Sequence, residues 1–266
     1  MPELPEVETV VRQLRRRIAG RTFAGVRVLW PRTVAGSGSE FRRRLRGLKV
    51  ARVVRRGKYI GIECAGGAFL TIHLRMTGKL VERLQPGDRR HLRASFAFAD
   101  GGALHFVDPR KFGRLRLWPC RGDSCPGLGP EPLRPQAVAA VLRRLKTKRP
   151  IKSVLLDQSV LAGIGNIYAD EALFAAGIHP RRPVSGLSGD EILRLSRSVP
   201  RILCAAIRRQ GTTLRNYRTV AGESGENQEH LFVYGRAGEP CLRCGAVIAR
   251  IRINGRSSHY CPCCQQ

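Results

Sequence analysis

Four cysteines near the carboxyl end of the chain constrain its folding more than any other feature. Cys241-Leu-Arg-Cys244 is followed, after sixteen intervening residues, by Cys261-Pro-Cys263-Cys264. Two Cys-x2-Cys pairs at this spacing supply four thiolates for a closed tetrahedral Zn²⁺ site, which is structural because it has no open position. We therefore expect one structural zinc, bound by Cys241, Cys244, Cys261 and Cys264. Cys263 is out of register with the second pair and is expected to stay unligated.

The segment between the two cysteine pairs predicts a β-hairpin. Residues 247–253 alternate in the manner of a strand, and Asn254-Gly255 favours a tight turn. The zinc would then fasten a two-stranded finger that carries Arg256 beside its tip. Arg256 is either a solvated turn cation or a group that binds a phosphate from a rigid position on a basic protein.

The charge balance indicates a polyanionic partner. The 266 residues include 48 Lys and Arg against 20 Asp and Glu, a formal net charge of +28. A membrane surface is the alternative partner, but no stretch approaches the ~18 apolar residues of a spanning helix, so nucleic acid is favoured. Five of the nine cysteines lie in the last 26 residues, which indicates a metal site in a reducing compartment and not a disulfide framework.

Residues 21–118 carry short runs typical of β-strands. The runs are β-branched or alternate in polarity, Gly-rich turns separate them, and Asp100-Gly101-Gly102 predicts a hairpin turn. This spacing indicates a sandwich or barrel. The predicted strands are 26–29, 49–54, 59–62, 69–74, 95–99 and 103–107.

A Pro- and Gly-rich stretch at 119–135 predicts a domain boundary, because beyond it the periodicity becomes helical. We predict an α+β multidomain protein: an N-terminal β-sandwich with flanking helices at 1–133, a helical domain at 134–237 and a zinc finger at 238–266. The predicted helices of the second domain are 137–145, 154–158, 165–176 and 189–209.

The amino terminus, Met1-Pro2-Glu3-Leu4-Pro5-Glu6-Val7-Glu8-Thr9, has a chemical and a structural interpretation. Initiator Met is normally removed when a small residue follows, and Pro2 would then be a free secondary amine able to attack an aldehyde-level carbon. The resulting iminium acidifies the neighbouring carbon and promotes elimination, with Glu3 moving protons. The structural interpretation is an ordinary amphipathic helix that ends at Gly20.

Lys58 stands out among the cations. Only seven of the 48 are Lys, and Lys58 follows Arg55, Arg56 and Gly57. A Lys among Arg neighbours suggests a site that needs a titratable amine.

A glycine-containing string in the helical half predicts a phosphate-binding turn. Gly163 and Gly165 allow a tight turn, and Asn166 stands where a second helix begins. Free backbone N–H groups at such a helix start would bind a phosphate. An ordinary helical hairpin with a capped turn is the equal alternative.

These segments together resemble the formamidopyrimidine-DNA glycosylase and endonuclease eight family. The resemblance covers nearly the whole chain in the right order, and Leu4 favours the formamidopyrimidine branch. The segments that carry it are Pro2-Glu3, Gly57-Lys58-Tyr59, 73–76, 108–114, 129–133, 151–180, 234–236 and the zinc finger.

The resemblance implies a base-excision enzyme with a helix-two-turn-helix element. It would excise oxidised purines such as 8-oxoguanine and formamidopyrimidines from double-stranded DNA and then nick the strand by β- and δ-elimination. By position, Pro2 is implied as the nucleophile at C1′ and Glu3 as its acid-base partner. Lys58 is implied in β-elimination, and Arg256 in holding a phosphate during δ-elimination.

The resemblance also implies a set of DNA contacts. Chemistry at C1′ requires the damaged nucleotide to leave the stack, and a wedge that fills the gap offsets the cost. Read alone, the implied wedge residues would be a core Met, a surface Arg and a core Phe, and the implied His contact a structural His. The wedge is Met76, Arg110 and Phe112, and the backbone contacts are His91, Lys152 and Asn166.

One segment departs from the family pattern. Residues 212–230 match a loop that closes over a flipped purine, but its centre at 222–227 carries acids where an aromatic is expected. Lesion preference therefore stays open between oxidised purines and oxidised pyrimidines. A zinc protein that binds DNA without catalysis is the alternative outside the enzyme class. We expect a monomer in the bacterial cytoplasm, associated with the nucleoid.

Overall fold

The computed structural model describes residues 1–122, 124–125 and 127–266. The chain divides into two compact units. The first comprises Met1–Pro126 and Arg209–Gln228, and the second comprises Gly127–Arg208 and Glu229–Gln266. Among the described residues, no helix has both the length and the apolar content needed to cross a membrane.

The first unit contains two antiparallel sheets, as expected for the β-sandwich. The strand orders are β1-β6-β7-β5 and β2-β3-β4-β8, and one hydrophobic cluster draws residues from both sheets. The elements are α1 (Leu4–Ile18), β1 (Phe23–Val28), α2 (Gly38–Leu45), β2 (Val50–Arg56), β3 (Tyr59–Cys64), β4 (Phe69–His73), β5 (Lys79–Val81), β6 (Leu92–Phe98), β7 (Ala103–Val107) and β8 (Arg114–Trp118).

Helix α1 forms because its apolar residues recur at helical spacing and have a sheet to cover. Val7, Val11 and Leu14 are fully buried, and the helix contacts β2 and β3. The burial of such a stripe, and not intrinsic helix propensity, provides most of a helix's stability in a protein. The packing holds the amino terminus against the sheet.

The second unit is helical and ends in the predicted hairpin. Helix α6 contacts α3 and α5, and α5 also contacts the second strand of the hairpin. Its elements are α3 (Pro135–Arg144), α4 (Ile151–Leu156), α5 (Asn166–Ala176), α6 (Gly189–Arg208), β9 (Ala249–Ile253) and β10 (Arg256–Tyr260).

The structure differs from the sequence-based expectations in three places. Helix α2 lies in the region expected to be all strand, and the Ser37 hydroxyl caps it by accepting the N–H of Glu40 at 3.3 Å. Helix α4 begins at Ile151, directly after Pro150, and ends at Leu156, two residues before the predicted end. Residues 209–228 pack into the first unit although they follow the helical segments in the chain.

Candidate functional site

The amino terminus is fixed by hydrogen bonds at the start of α1. Pro2 and Glu3 are both buried. The N–H of Glu3 donates to the carboxylate of Glu6 at 2.7 Å, and the carbonyl of Glu3 accepts the N–H of Val7 at 3.0 Å. The backbone of Glu3, the residue after Pro2, is therefore fixed by hydrogen bonds through both its N–H and its carbonyl.

Two contacts show where α1 points. Arg15 donates to the carbonyl of Val53 at 2.7 Å, and Arg55 donates to Glu8 at 2.8 Å. Helix α1 therefore runs antiparallel to β2, so that the amino end of the helix lies nearer to the last residue of the strand. The Pro2-Glu3 end consequently runs towards the β2–β3 turn that contains Lys58.

A glycine turn presents Lys58. Arg56 pairs with Tyr59 across the β2–β3 ladder, so Gly57 and Lys58 form a two-residue hairpin loop. Gly57 has φ 54°, a backbone conformation that glycine adopts at no steric cost at the first position of such loops. Lys58 is only 6% exposed, so the residue is buried in spite of its charge.

His73 lies beside this turn as a neutral group. It pairs with Tyr59 across β3 and β4, the two rings meet edge to face at 4.5 Å, and Nδ1 accepts the N–H of Arg75 at 3.0 Å. Burial, followed by the positive charges of Arg75 and Lys58, lowers the pKa of His73 to about 3.

Asp108 organises the loop that carries the implied wedge residues. Its carboxylate is fully buried and accepts the N–H groups of Arg110 at 3.2 Å and Gly113 at 2.7 Å. It also accepts the hydroxyl of Thr77, the residue after Met76. One buried carboxylate therefore ties the segment containing Met76 to the 108–113 loop.

The tips of these segments are exposed although they are apolar. Met76 is 43% and Phe112 is 47% exposed, and the Arg110 guanidinium lies 4.7 Å from the centre of the Phe112 ring. Neither apolar side chain is a core residue, which corrects the alternative interpretation of both. His91 is partly exposed, and its carbonyl accepts the N–H of Asp108 at 2.9 Å, so it belongs to the same assembly.

Glu6 is a residue of this site that sequence reasoning missed. It is buried, and besides the N–H of Glu3 it accepts the N–H of Thr212 at 2.8 Å. The Tyr217 hydroxyl lies 3.4 Å from the Glu6 carbonyl. The one signal in the sequence is that Glu6 follows Glu3 by three residues, which is the spacing of a capping box at a helix start.

The segment after α6 is closed at its base. Asn227 donates to the Thr212 hydroxyl, and the N–H of Gly225 donates to the Thr213 hydroxyl, each at 2.9 Å. Residues 214–224 therefore form a loop with its two ends together. Glu223 and Glu226 are exposed, so the acids noted in the sequence lie at the surface.

The second unit contains the cysteine cluster. The Sγ atoms of Cys241, Cys244, Cys261 and Cys264 all lie within 4.8 Å of one another. Four thiolates at such separations suit one tetrahedral Zn²⁺, and Cys263, which is exposed, is not part of this cluster. Cys241 and Cys261 also pack in an apolar cluster with Phe174, which joins the metal site to α5.

The hairpin presents Arg256 as predicted. Asn254 and Gly255 have φ 46° and 78°, the values of a tight hairpin turn, and Arg256 is the exposed first residue of β10. The Asn254 amide donates to the Ser153 hydroxyl at 2.8 Å, which fastens the turn to α4.

Asn166 is the first residue of α5, as the glycine turn predicts. Its amide Nδ2 donates to the carbonyl of Ser257 at 2.9 Å. The side chain is partly exposed, so it lies at the surface next to the hairpin.

Lys152 requires a correction. The resemblance implies a DNA backbone contact, but the Lys152 side chain is fully buried. Its Nζ lies 2.7 Å from Asp170 and donates to the Ser257 carbonyl at 2.8 Å. A side chain with no exposed surface and protein partners at these distances does not reach a phosphate, so Lys152 acts inside the unit.

The chain shares its domains with one family of DNA repair enzymes. Residues 1–115 match the model of the formamidopyrimidine-DNA glycosylase N-terminal domain, and residues 128–218 match the model of its H2TH domain. Residues 238–266 match a zinc finger found in FPG and IleRS.

Individual relatives agree over the full length. A formamidopyrimidine-DNA glycosylase of Herpetosiphon aurantiacus is 48% identical over 275 aligned residues that cover 100% of both chains. A solved variant of the Lactococcus lactis Fpg bound to Fapy-dG DNA is 38% identical with a TM-score of 0.90, again over 100% of both chains. MutM bound to DNA with carbocyclic 8-oxo-G is 38% identical, with a TM-score of 0.89 and the same coverage.

Proposed function

The chain belongs to the formamidopyrimidine-DNA glycosylase family, and we propose that it excises oxidised purines from double-stranded DNA and cleaves the abasic strand through Pro2. The family consists of bifunctional glycosylases and abasic-site lyases. The solved relatives hold Fapy-dG and 8-oxo-G analogues in DNA, and a net charge of +28 suits the same polyanion.

The first step is attack of the Pro2 nitrogen on C1′ of the damaged nucleotide. It requires removal of Met1, which in this structure forms a peptide bond with the proline nitrogen. The N–C1′ bond forms as the bond from C1′ to the base breaks, and the base leaves with a proton. Opening of the sugar ring then gives an iminium, a cation whose charge needs no added proton. Glu3, buried beside Pro2, delivers the proton that opens the ring.

The second stage is elimination. The iminium acidifies C2′–H, so that loss of this proton expels the 3′ phosphate by breaking C3′–O. Loss of the C4′ proton then expels the 5′ phosphate by breaking C5′–O. Lys58, in the turn towards which α1 runs, assists the first elimination, and its positive charge suits the leaving phosphate.

The remaining residues hold DNA. Arg256 and Asn166 are proposed to contact phosphates, and His91 to contact DNA beside the wedge. Met76, Arg110 and Phe112 are proposed to fill the gap that the everted nucleotide leaves. Zn²⁺ held by Cys241, Cys244, Cys261 and Cys264 would stabilise the fold of the hairpin and would take no part in the reaction, because four thiolate ligands leave no open position for a substrate.

The buried Pro2-Glu3 pair, held by Glu6 at the start of α1, is the observation that carries this proposal. The test is borohydride reduction with an 8-oxoguanine duplex, which converts an iminium into a stable protein–DNA adduct. We expect an adduct with the mature protein and loss of most of it in Pro2→Gly. Pro5→Ala, which changes the next proline of the same segment, is the control and should retain it.

Two outcomes would contradict the proposal. Absence of an adduct from intact mature protein would favour a zinc protein that binds DNA without catalysis. Full-rate incision by protein shown by mass spectrometry to retain Met1 would exclude Pro2 as the nucleophile. Cleavage compared on 8-oxoguanine, formamidopyrimidine and thymine glycol duplexes tests the preference for oxidised purines over pyrimidines.

We further propose that the functional domains are a catalytic domain at 1–133, a helix-two-turn-helix domain at 134–237 and the zinc finger at 238–266. The protein is proposed to act as a monomer on the DNA of the bacterial cytoplasm, associated with the nucleoid. Sedimentation of the purified protein and its co-fractionation with the nucleoid test these two statements.

A further inference from the structure

The second unit contains a fully buried ion pair that the proposed reaction does not use. Lys152 of α4 and Asp170 of α5 lie 2.7 Å apart, and both side chains are 0% exposed. Burying two charges costs more free energy than their attraction returns unless further hydrogen bonds satisfy them. The partners of this pair therefore indicate what the pair is for.

Three partners of the pair are consecutive residues of one strand, β10. The Lys152 amine donates to the carbonyl of Ser257 at 2.8 Å. Asp170 accepts the hydroxyl of Ser258 on one carboxylate oxygen and the N–H of His259 on the other, each at 2.9 Å. Three consecutive residues of β10 are thus held by one pair of opposite charges from two helices.

Asn166 reinforces this arrangement by donating to the same Ser257 carbonyl at 2.9 Å. The residue before Ser257 is Arg256, whose exposed side chain follows a two-residue turn. Asn254 fastens the turn before Arg256 to α4, and the buried pair holds the strand after it, so the position of Arg256 depends on both anchors.

We propose that Lys152 and Asp170 are positioning residues that fix β10 and thereby set where Arg256 meets the DNA phosphate. This inference rests on the proposed role of Arg256. An exposed cation near DNA would act by attracting phosphates. This pair carries no net charge and is shielded from solvent, so it cannot act in that way. Its effect on the reaction passes through the backbone of β10.

The test compares three variants in which the fold is checked by zinc content and thermal unfolding. Asp170→Asn keeps the shape but leaves Lys152 without a counter-charge, and Lys152→Met keeps the stem but leaves Asp170 without one. Lys152→Met/Asp170→Asn removes both charges together, which avoids an uncompensated buried charge if a single variant does not fold. Glu191→Gln, which breaks the partly exposed Arg182–Glu191 pair of the same unit, is the matched control.

Three quantities are measured: hydrogen exchange of the β10 amides, His259 among them, the ratio of δ- to β-elimination products on a preformed abasic duplex, and borohydride trapping through Pro2. We expect at least one single variant and the double variant to exchange about tenfold faster at β10 and to lose several-fold in δ product, as follows from loss of a charged hydrogen bond. Borohydride trapping through Pro2 should stay unchanged, which a general loss of folding would not allow. Glu191→Gln should match the wild type in all three.

Arg256→Gln separates the two claims. One outcome would overturn the positioning role. In it, Arg256→Gln lowers the δ product, whereas the two single variants of the pair and the double variant fold and keep the wild-type exchange and product ratio. If Arg256→Gln leaves the product ratio unchanged, the proposed role of Arg256 is overturned instead. The exchange of β10 amides then decides by itself whether the pair holds the strand.

Discussion

The carboxylate of Glu6 accepts the backbone N–H of Thr212 at 2.8 Å across 206 positions of sequence. Because the same carboxylate accepts the N–H of Glu3, it joins the amino terminus to the loop that follows α6. The loop matches the family element expected to close over a flipped purine. One acid therefore joins the proposed nucleophile to the loop that is proposed to close over the base.

Replacing Glu6 tests this coupling. Glu6→Gln turns one of two acceptor oxygens into an N–H donor that faces a backbone N–H, at a cost of about 1–3 kcal/mol for a buried unsatisfied group. We expect excision of 8-oxoguanine to fall by at least tenfold, and cleavage of a preformed abasic site, which needs no base recognition, to fall less. The exposed acid Glu40 supplies the control, since Glu40→Gln should change neither rate. Equal losses on both substrates would contradict the coupling.

His73 predicts an acid-dependent loss of stability. Its pKa in the folded protein is lowered to about 3, against about 6.5 in an unfolded chain. Between these values the unfolded chain binds a proton that the folded protein does not, so the free energy of unfolding falls as pH decreases from about 6.5 towards 3. Urea unfolding should show a shallower decline over this range in His73→Gln. Parallel pH profiles for the two proteins would show that His73 is not the titrating group.

Removal of zinc should disable the hairpin. We expect about one zinc per chain, and we expect chelation to unfold 238–266, because structural zinc sites supply much of the folding free energy of small fingers. Cys244→Ser should lose the metal and the strand-cleaving activity. Cys263→Ser, which changes the exposed cysteine between two ligands, should keep both. Zinc lost equally from both variants would contradict the ligand set.

The exposed apolar residues Met76 and Phe112 should matter for activity and little for stability. At 43% and 47% exposure, truncation to Ala removes small buried areas, and surface changes of this kind usually alter stability by less than about 0.5 kcal/mol. We expect each variant to incise a paired 8-oxoguanine duplex at least tenfold more slowly. Leu29→Ala, at a similarly exposed apolar position, should keep the wild-type rate, and a loss of equal size there would remove the case for a wedge.

Phosphate contacts should appear in the salt dependence of binding. The logarithm of the association constant should fall steeply with the logarithm of salt concentration, and Arg256→Gln should lower the slope by about one. Lys152→Met should lower the slope less than Arg256→Gln, because the buried side chain makes no phosphate contact of its own and acts only through the position of Arg256. An affinity that is flat between low and moderate salt would contradict binding to the DNA backbone.

Features that depend on local chemistry were predictable. The spacing of the cysteine pairs specifies the zinc ligands, Asn254-Gly255 specifies a tight turn, and alternating residues specify the hairpin 95–107. Each depends on residues close in the chain, so neighbouring residues alone settle the outcome. Helix α2 was missed because its short run 38–45 has four charged residues and only two buried ones, Phe41 and Leu45.

The sequence by itself determined the family, the β-rich and helical halves, the metal site and the candidates Pro2, Glu3 and Lys58. Only the tertiary structure decided that Lys152 turns inward to Asp170, that Asp108 gathers the wedge loop and that Glu6 binds Thr212. The reason is physical. A periodic pattern predicts which face of an element is buried. A buried polar group is stable only when it is paired, and its partner lies on a chain segment that comes close only after folding.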